Sequence, residues 1–325
     1  MAWLTSDLLA DVRRSGMLPD STPSGVADAD ILAHADKELQ SRLLPLVNSV
    51  REEFYVQTVT QSLVAGQQFY RIPGRSIGNR LRDVLIQQSD GTQTNLVRLA
   101  PEAYAELQTT VPGPYPWAFY LESDSVMLVP TPSTSGSASL LFKYLIRPNF
   151  LVVHGDNKTP HVIAVTNNGN GTTTITHTGN SSFNSTAAGS LDIVSIKPPF
   201  RTVMISTTPT AHATGTITVA TSALPSDFTT ANFGGGASVG AVISAAETSS
   251  VVQLPPEMHN VLYQRTLCRV LQSIGDLEAL QAAEANAQQM ERDAVGLVAN
   301  RTEGEPKKVV SRLLFQPRRR YGRFY

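Results

Sequence analysis

Ala29-Asp-Ile-Leu-Ala-His-Ala-Asp-Lys-Glu-Leu-Gln-Ser-Arg-Leu-Leu-Pro-Leu-Val47 is the stretch whose pattern decides the fold. Its apolar positions continue past Val47. Leu32, Ala35, Leu39, Leu43, Val47, Val50 and Phe54 recur every three or four residues, which draws one stripe along a helix from about Asp28 to Tyr55. Asp28 and Asp30 stand where carboxylates favour a helix start. Pro45 lies inside the stripe, lacks an N–H, and predicts a kink or a split there. Upstream, Ser6 to Arg14 reads as a short helix with Thr5 or Ser6 as N-cap and Gly16 at its end.

The same period returns after Pro255-Pro256. Met258, Val261, Leu262, Cys268, Leu271 and Ile274 give one helix, closed by Gly275. Asp276 caps a second that runs to about Asn300 through Leu277, Leu280, Ala283, Ala287, Met290, Ala294 and Leu297. Helices at the two ends must each bury a stripe, and they can bury them on one another. The expected core of such a bundle is Leu32, Leu39, Leu43, Val47, Val50, Val261, Leu262, Leu271, Leu280 and Met290.

Between the helices the text turns to strands. Runs beginning at Gln68, Asp83, Ser125 and Leu140 alternate and are bounded by Gly, Pro, Ser or Asp. Pro101 to Gln108 reads as a helical turn, and the Pro-rich aromatic stretch from Pro112 as a loop leading into a strand at Ala118 to Leu121. From Leu151 to Gln253 two segments resemble each other, each read as strand, polar turn, strand. One pairs Val162-Ile-Ala-Val-Thr with Thr173-Thr-Ile-Thr-His, the other Val203-Met-Ile-Ser-Thr with Gly215-Thr-Ile-Thr-Val. The expected class is α+β. N- and C-terminal helices form a bundle (1–60 and 254–300), with a β-rich region joined to it (61–150), an inserted β module (151–253) and an extended tail (301–325).

Charged residues are 16% of the chain, below the roughly 25% usual for soluble proteins, which suits surface hidden against neighbours. The net charge of −1 supplies no global field for nucleic acid or anionic lipid. A single cysteine, Cys268, excludes a disulfide framework. The opening residues carry no basic-then-apolar leader and no run is long enough to span a bilayer, so folding in a reducing cytoplasm, without membrane, is expected.

Catalytic patterns are sparse. The six histidines (34, 154, 161, 177, 212 and 259) include no i, i+4 pair with a glutamate, so no zinc-hydrolase motif is present. His154 and His161 flank a Gly-Asp-Asn turn and could share a metal only if the fold brings them together. Gly234-Gly-Gly lacks the Lys-Ser/Thr of a phosphate loop, and no nucleophile elbow occurs. Asp83, Asp124, Asp156 and Asp227 fall near strand ends, where a glycosidase could place two carboxylates and where turns ordinarily place them too. The reading is therefore of a non-enzyme, with no cofactor and no metal.

The last 25 residues carry eight basic and two acidic groups, leaving an acidic body. Val309, Leu313, Leu314, Phe315, Arg318, Arg319, Arg320, Tyr321, Phe324 and Tyr325 mix guanidinium with large apolar groups. A protein-docking tail fits this mixture better than a solvated one, because disordered ends seldom carry so much apolar surface. Phosphate contact with nucleic acid is the other use of such a tail.

Three stretches give the chain a family likeness. They are the quoted helix, Tyr144-Leu-Ile-Arg-Pro-Asn149, and Gln253-Leu-Pro-Pro-Glu-Met-His-Asn-Val-Leu-Tyr-Gln-Arg-Thr-Leu-Cys-Arg-Val-Leu with the Ala/Glu-rich helix after it. In their order and spacing the chain resembles the head-to-tail adaptor (connector or neck) proteins of tailed bacteriophages. The resemblance implies a structural subunit of the virion, made in the host bacterial cytoplasm, in a twelve-fold ring below the portal. Tail residues 301–325 would dock on the portal protein, the other side would meet the next tail component (nozzle, tail tube or fibre), and viral DNA would pass non-specifically through the lumen. The other structural reading is a tail-associated receptor-binding or fibre-attachment protein, which would share the Thr/Asn-rich β content without needing helices at both ends.

Overall fold

The computed structural model describes residues 3–18, 25–100, 102, 115–136, 138–155, 158–179, 189–224 and 240–299. It is a mixed α/β protein with many strands and few helices. Helix α1 (Thr5–Ser15) begins with Leu4 as N-cap, whose backbone N–H donates to Asp7 Oδ2 at 3.0 Å. Asp7 thus supplies the capping carboxylate, in place of the Thr5 or Ser6 hydroxyl expected. Gly16 ends the helix at φ −83°, so its value there is space rather than a left-handed turn. A Cβ would lie 3.1 Å from Leu267 and Leu18.

The long N-terminal helix divides at the proline. Helix α2 (Asp28–Glu38) passes into a π-turn over Leu39–Leu43 and then into α3 (Leu44–Val50), which carries Pro45 in its first turn. Widening the helix just before the proline relieves the clash of its ring with the preceding turn. Leu32, Leu39, Leu43 and Val47 are buried, and Val50 packs partly buried against them.

Near the other end, Pro256–Met258 forms a single 3₁₀ turn into α4 (His259–Ile274), which closes on Gly275 in the left-handed conformation at φ 86°. Asp276 caps α5 (Leu277–Val298) by accepting from Ala279 N at 3.0 Å, as its position in the sequence implies. Helix α4 packs against α1, α2 and α5, and α5 also touches α3.

Among the described residues seventeen strands, β1 (Val56–Ser62) through β17 (Thr248–Ser249), lie between these helices. One sheet has the order β1-β8-β3-β4, with β3 (Ser76–Gln88), β4 (Gln93–Asn95) and β8 (Ala138–Ile146). A second has the order β2-β7-β6-β5, with β2 (Phe69–Arg71), β5 (Val97–Arg98), β6 (Ala118–Glu122) and β7 (Ser125–Val129). Alternate residues of β8, from Ala138 through Leu140, Phe142 and Tyr144 to Ile146, join the helical side chains in one continuous core.

A separate apolar cluster fills the space between two further sheets. One is β10-β11-β15-β14, with β10 (Val162–Asn167), β11 (Thr172–His177), β14 (Ala211–Ala213) and β15 (Thr216–Ala220). The other is β13-β12-β16, with β12 (Leu191–Val194), β13 (Thr202–Thr207) and β16 (Val242–Ala245). The expected hairpin of β10 with β11 is present. The second expected hairpin is not. β13 pairs with β12, while β15 pairs with β11 and β14, so the two similar segments are not structural repeats. The chain enters this part through β9 (Phe150–Leu151) and leaves through β17, and those two strands pair in parallel.

Asp36 of α2 meets this crossing point, its carboxylate accepting from the Leu151 N–H at 2.9 Å. Burial raises its pKa from 3.8 to about 7, against the lowering effect of that hydrogen bond. Burial lowers His259 from 6.5 to about 4. Between pH 4 and 7 the folded chain thus holds a proton on Asp36 that the unfolded chain has lost, so acidification stabilises through this group. The unfolded chain protonates His259 from pH 6.5 downward while the folded chain does not until about pH 4, so acidification destabilises through that one. In Asp36→Asn only the histidine contribution remains. Calorimetry should show its melting temperature falling more steeply than the parent's between pH 7 and 5, and parallel curves would contradict this assignment.

Candidate interaction surfaces

The joint between the central sheet and the β sandwich is polar and buried. Arg75, at the start of β3, donates from Nη1 to Asp192 Oδ2 at 2.5 Å, and from Nη2 to the Arg147 carbonyl and to Asn149 Oδ1. Arg75 is 8% exposed and Asp192 not at all. Asp192 also accepts from Asn149 Nδ2 at 2.8 Å, Ser206 N at 2.7 Å and Glu247 N at 3.0 Å, so its lone pairs are filled. The Gln253 side chain continues the net. It accepts from Asn149 N at 2.7 Å and donates to Thr202 Oγ1 and the Phe200 carbonyl, both at 2.9 Å. Tyr55, at the foot of the N-terminal helices, donates to the Gln253 carbonyl at 2.8 Å.

A second polar clamp holds the helical layer. Glu291 of α5 receives two hydrogen bonds from Arg42, at 2.6 and 3.0 Å, and two from Arg265 of α4, at 3.0 and 2.7 Å. Burial alone would push this carboxyl up, yet the two guanidiniums outweigh it and hold it below the usual range. Arg269 reaches Glu38 of α2 at 2.5 Å.

This clamp corrects the stripe expected for α5. The inward positions are Ala283, Ala287, Glu291, Ala294 and Val298, so Met290 is not core but 36% exposed. Leu277 and Leu297 are 68% and 55% exposed, and Leu280 is partly buried. Paired with two arginines, the glutamate takes the place an apolar residue would have held, and the stripe turns by one residue. Val261, Leu262 and Leu271 are buried as expected. The outer face of α5 therefore leaves large apolar groups in solvent.

Strand edges form another open surface. β1 is an edge strand, and its sequence Val56-Gln-Thr-Val-Thr-Gln-Ser62 has no charge and no proline, the usual protections of an edge. It faces β13, also an edge, across a cleft of about 580 Å³ lined by Thr58, Tyr144, Arg201 and Ile205 among others. Gln57 bridges one end by donating to the Thr202 carbonyl at 3.1 Å. On the second sheet Phe69 and Val97, both on edge strands, and Trp117 are exposed.

Among the described residues, those weighed for chemistry do not assemble into a catalytic cleft. Asp124 pairs with Arg71 at 3.0 Å and Asp83 stands 3.9 Å from Arg82, both at the surface. Asp156, Asp227, Pro101–Gln108 apart from Glu102, the glycines at 234–236 and the whole docking tail, Val309 to Tyr325, lie outside the described residues. His34 is half-buried on α2. His154 and His161 are brought together by the fold, with Nε2 atoms 3.3 Å apart. Among the described residues no group of three or more His, Cys, Asp or Glu could hold a metal ion, and no helix is long and apolar enough to cross a membrane.

Residues 5–165, close to half of the chain, match the family model described as SU10 adaptor protein. No curated protein matches the sequence. The matched span contains the N-terminal helices, both sheets of the main core, and Arg75 and Asn149 of the buried joint. Asp192 and Gln253 lie beyond it.

Removing one partner of a buried ion pair leaves the other uncompensated. Arg75→Met should therefore cost about 3–5 kcal/mol in urea unfolding. Asp192→Asn in the same chain should recover part of that loss, since the orphaned charge goes with it. A cost below about 1 kcal/mol for Arg75→Met would mean that this joint does not hold the sandwich in place.

Proposed function

We propose that this chain, which matches the SU10 adaptor protein family over residues 5–165, is a head-to-tail adaptor ring subunit of a tailed bacteriophage. The family match carries the proposal, and it supports a structural role in the virion in contact with portal and tail components. In the fuller reading, copies of the chain form a ring, of twelve subunits in the form the resemblance implies, below the portal. The helices of 1–60 and 254–300 make a bundle in each subunit, 61–150 is joined to it, and 151–253 is an inserted module facing outward or toward the next tail component.

Several features support that reading. The outer face of α5 exposes Leu277, Met290 and Leu297, apolar groups that a neighbouring subunit would cover. The uncharged edge of β1 is suited to pairing with an extended segment of another chain. The balance of 26 basic and 27 acidic residues suits a channel through which DNA must slide and not stick. The tail from Arg301 to Tyr325 supplies arginine and aromatic anchors for the portal, and a ring presenting many tails gains by effective concentration what one tail lacks.

Co-sedimentation with the cognate portal ring tests this directly. Full-length protein should pellet with the portal, while a chain ending at Asn300 should bind at least tenfold more weakly. Equal binding by both would remove the tail from the interface. No binding by either would favour a receptor-binding or fibre-attachment position further down the tail.

A further inference from the structure

The strongest chemistry that the adaptor role leaves unused is the histidine pair at the root of the β sandwich. His154 follows β9, and His161 immediately precedes β10. Seven positions apart in sequence, their Nε2 atoms stand 3.3 Å from each other, with ring centroids 5.0 Å apart and planes inclined by 58°.

The other nitrogen of each ring is anchored. His161 Nδ1 lies 3.0 Å from the Gly240 carbonyl, which only accepts, so Nδ1 carries the proton and Nε2 of the neutral ring presents a lone pair. His154 Nδ1 lies 3.1 Å from both Thr159 Oγ1 and Ser250 Oγ. Thr159 is itself oriented, accepting from Gly155 N at 3.0 Å with the Gly155 carbonyl at 3.3 Å as the acceptor for its own proton. Its oxygen and that of Ser250 together hold the ring by Nδ1, which turns Nε2 toward His161. Backbone carbonyls and hydroxyls on the far nitrogen are the partners that orient metal-binding imidazoles.

The spacing fits the same chemistry. Two imidazole nitrogens bound at about 2.0–2.1 Å in a tetrahedral arrangement are about 3.3 Å apart. Both rings are half-buried, so solvent can reach the pair and supply the remaining ligands.

We propose that His154 and His161 form a two-imidazole site for a divalent transition metal of the zinc or copper class, completed by water. The metal would act as a staple. One ligand belongs to the segment leaving β9, beside Ser250, and the other to the start of the sandwich, beside Gly240, so the bound ion ties the module's root to the body. Cys268, the chain's single thiol, is buried in the helical core and does not compete for the ion.

Tag-free protein, stripped with chelator and titrated with Zn²⁺ in a calorimeter, should bind one ion per chain. His154→Gln and His161→Gln should each weaken binding at least tenfold, while His212→Gln, exposed on β14, should leave it unchanged. Circular dichroism and melting of each variant without metal separate loss of ligand from loss of fold. With Cu²⁺, electron paramagnetic resonance should show nitrogen hyperfine coupling from two imidazoles, reduced to one in either variant. Absence of Zn²⁺ binding, or binding that survives both substitutions, would overturn the site and leave the pair as a hydrogen-bonded contact. Portal binding is not a readout here, so failure of this site would not touch the adaptor reading.

Discussion

An arginine and an aspartate buried together set the condition on which the rest of this molecule depends. Taking two charges out of water is expensive unless every donor and acceptor is satisfied. Arg75 and Asp192 meet that demand only when β3, the Arg147–Asn149 segment, β12, and the backbone at Ser206 and Glu247 all arrive together. Gln253 then extends the requirement to the segment that leads into α4, and Tyr55 to the end of the N-terminal helices. The net favours one placement of the sandwich over all others, since a hydrophobic joint could slide and a filled polar one cannot without exposing a bare charge.

The helical layer uses the same device in a thinner form. Alanines along α5 let it approach its neighbours closely, but they contribute little apolar area each, and Glu291 between Arg42 and Arg265 adds directional hydrogen bonds where volume is lacking. The inner face of α5 is therefore specified by geometry, while its outer face retains apolar groups. The ring subunit proposed above would need both, a fixed internal register and a surface that is completed by a neighbour.

How much of this was legible beforehand depended on the range of the interaction. Periodicity located the stretches that hold α2 with α3, α4 and α5, terminal signals located α1, and local chemistry placed Gly275 and Asp276 between α4 and α5. Pro45 announced a disturbance, and the π-turn before it is the form taken. The Met290 position failed because hydrophobicity assigns methionine inward and glutamate outward, and nothing near Glu291 in sequence reveals arginines 249 and 26 residues away. The second hairpin failed for a related reason. Thr-rich strands of similar text carry no label saying which partner each will take, and β13 found β12 in one sheet of the sandwich while β15 joined β11 in the other. His154 and His161 were visible as a pair whose meeting only the fold could decide.

The parallel pairing of β9 with β17 brings the way into the sandwich and the way out of it side by side, with Phe150 N donating to the Glu247 carbonyl at 2.8 Å. Closing a loop costs free energy that grows only with the logarithm of its length, roughly 0.6 kcal/mol for each doubling. The main core therefore feels the separation of its two doorposts and hardly at all the distance travelled between them. Asp192 must return to Arg75, which pins β12, but the outer sheet of β10, β11, β14 and β15 lies beyond that tether. Changes in the length or decoration of the outer sheet should therefore leave the packing of the helical core unchanged.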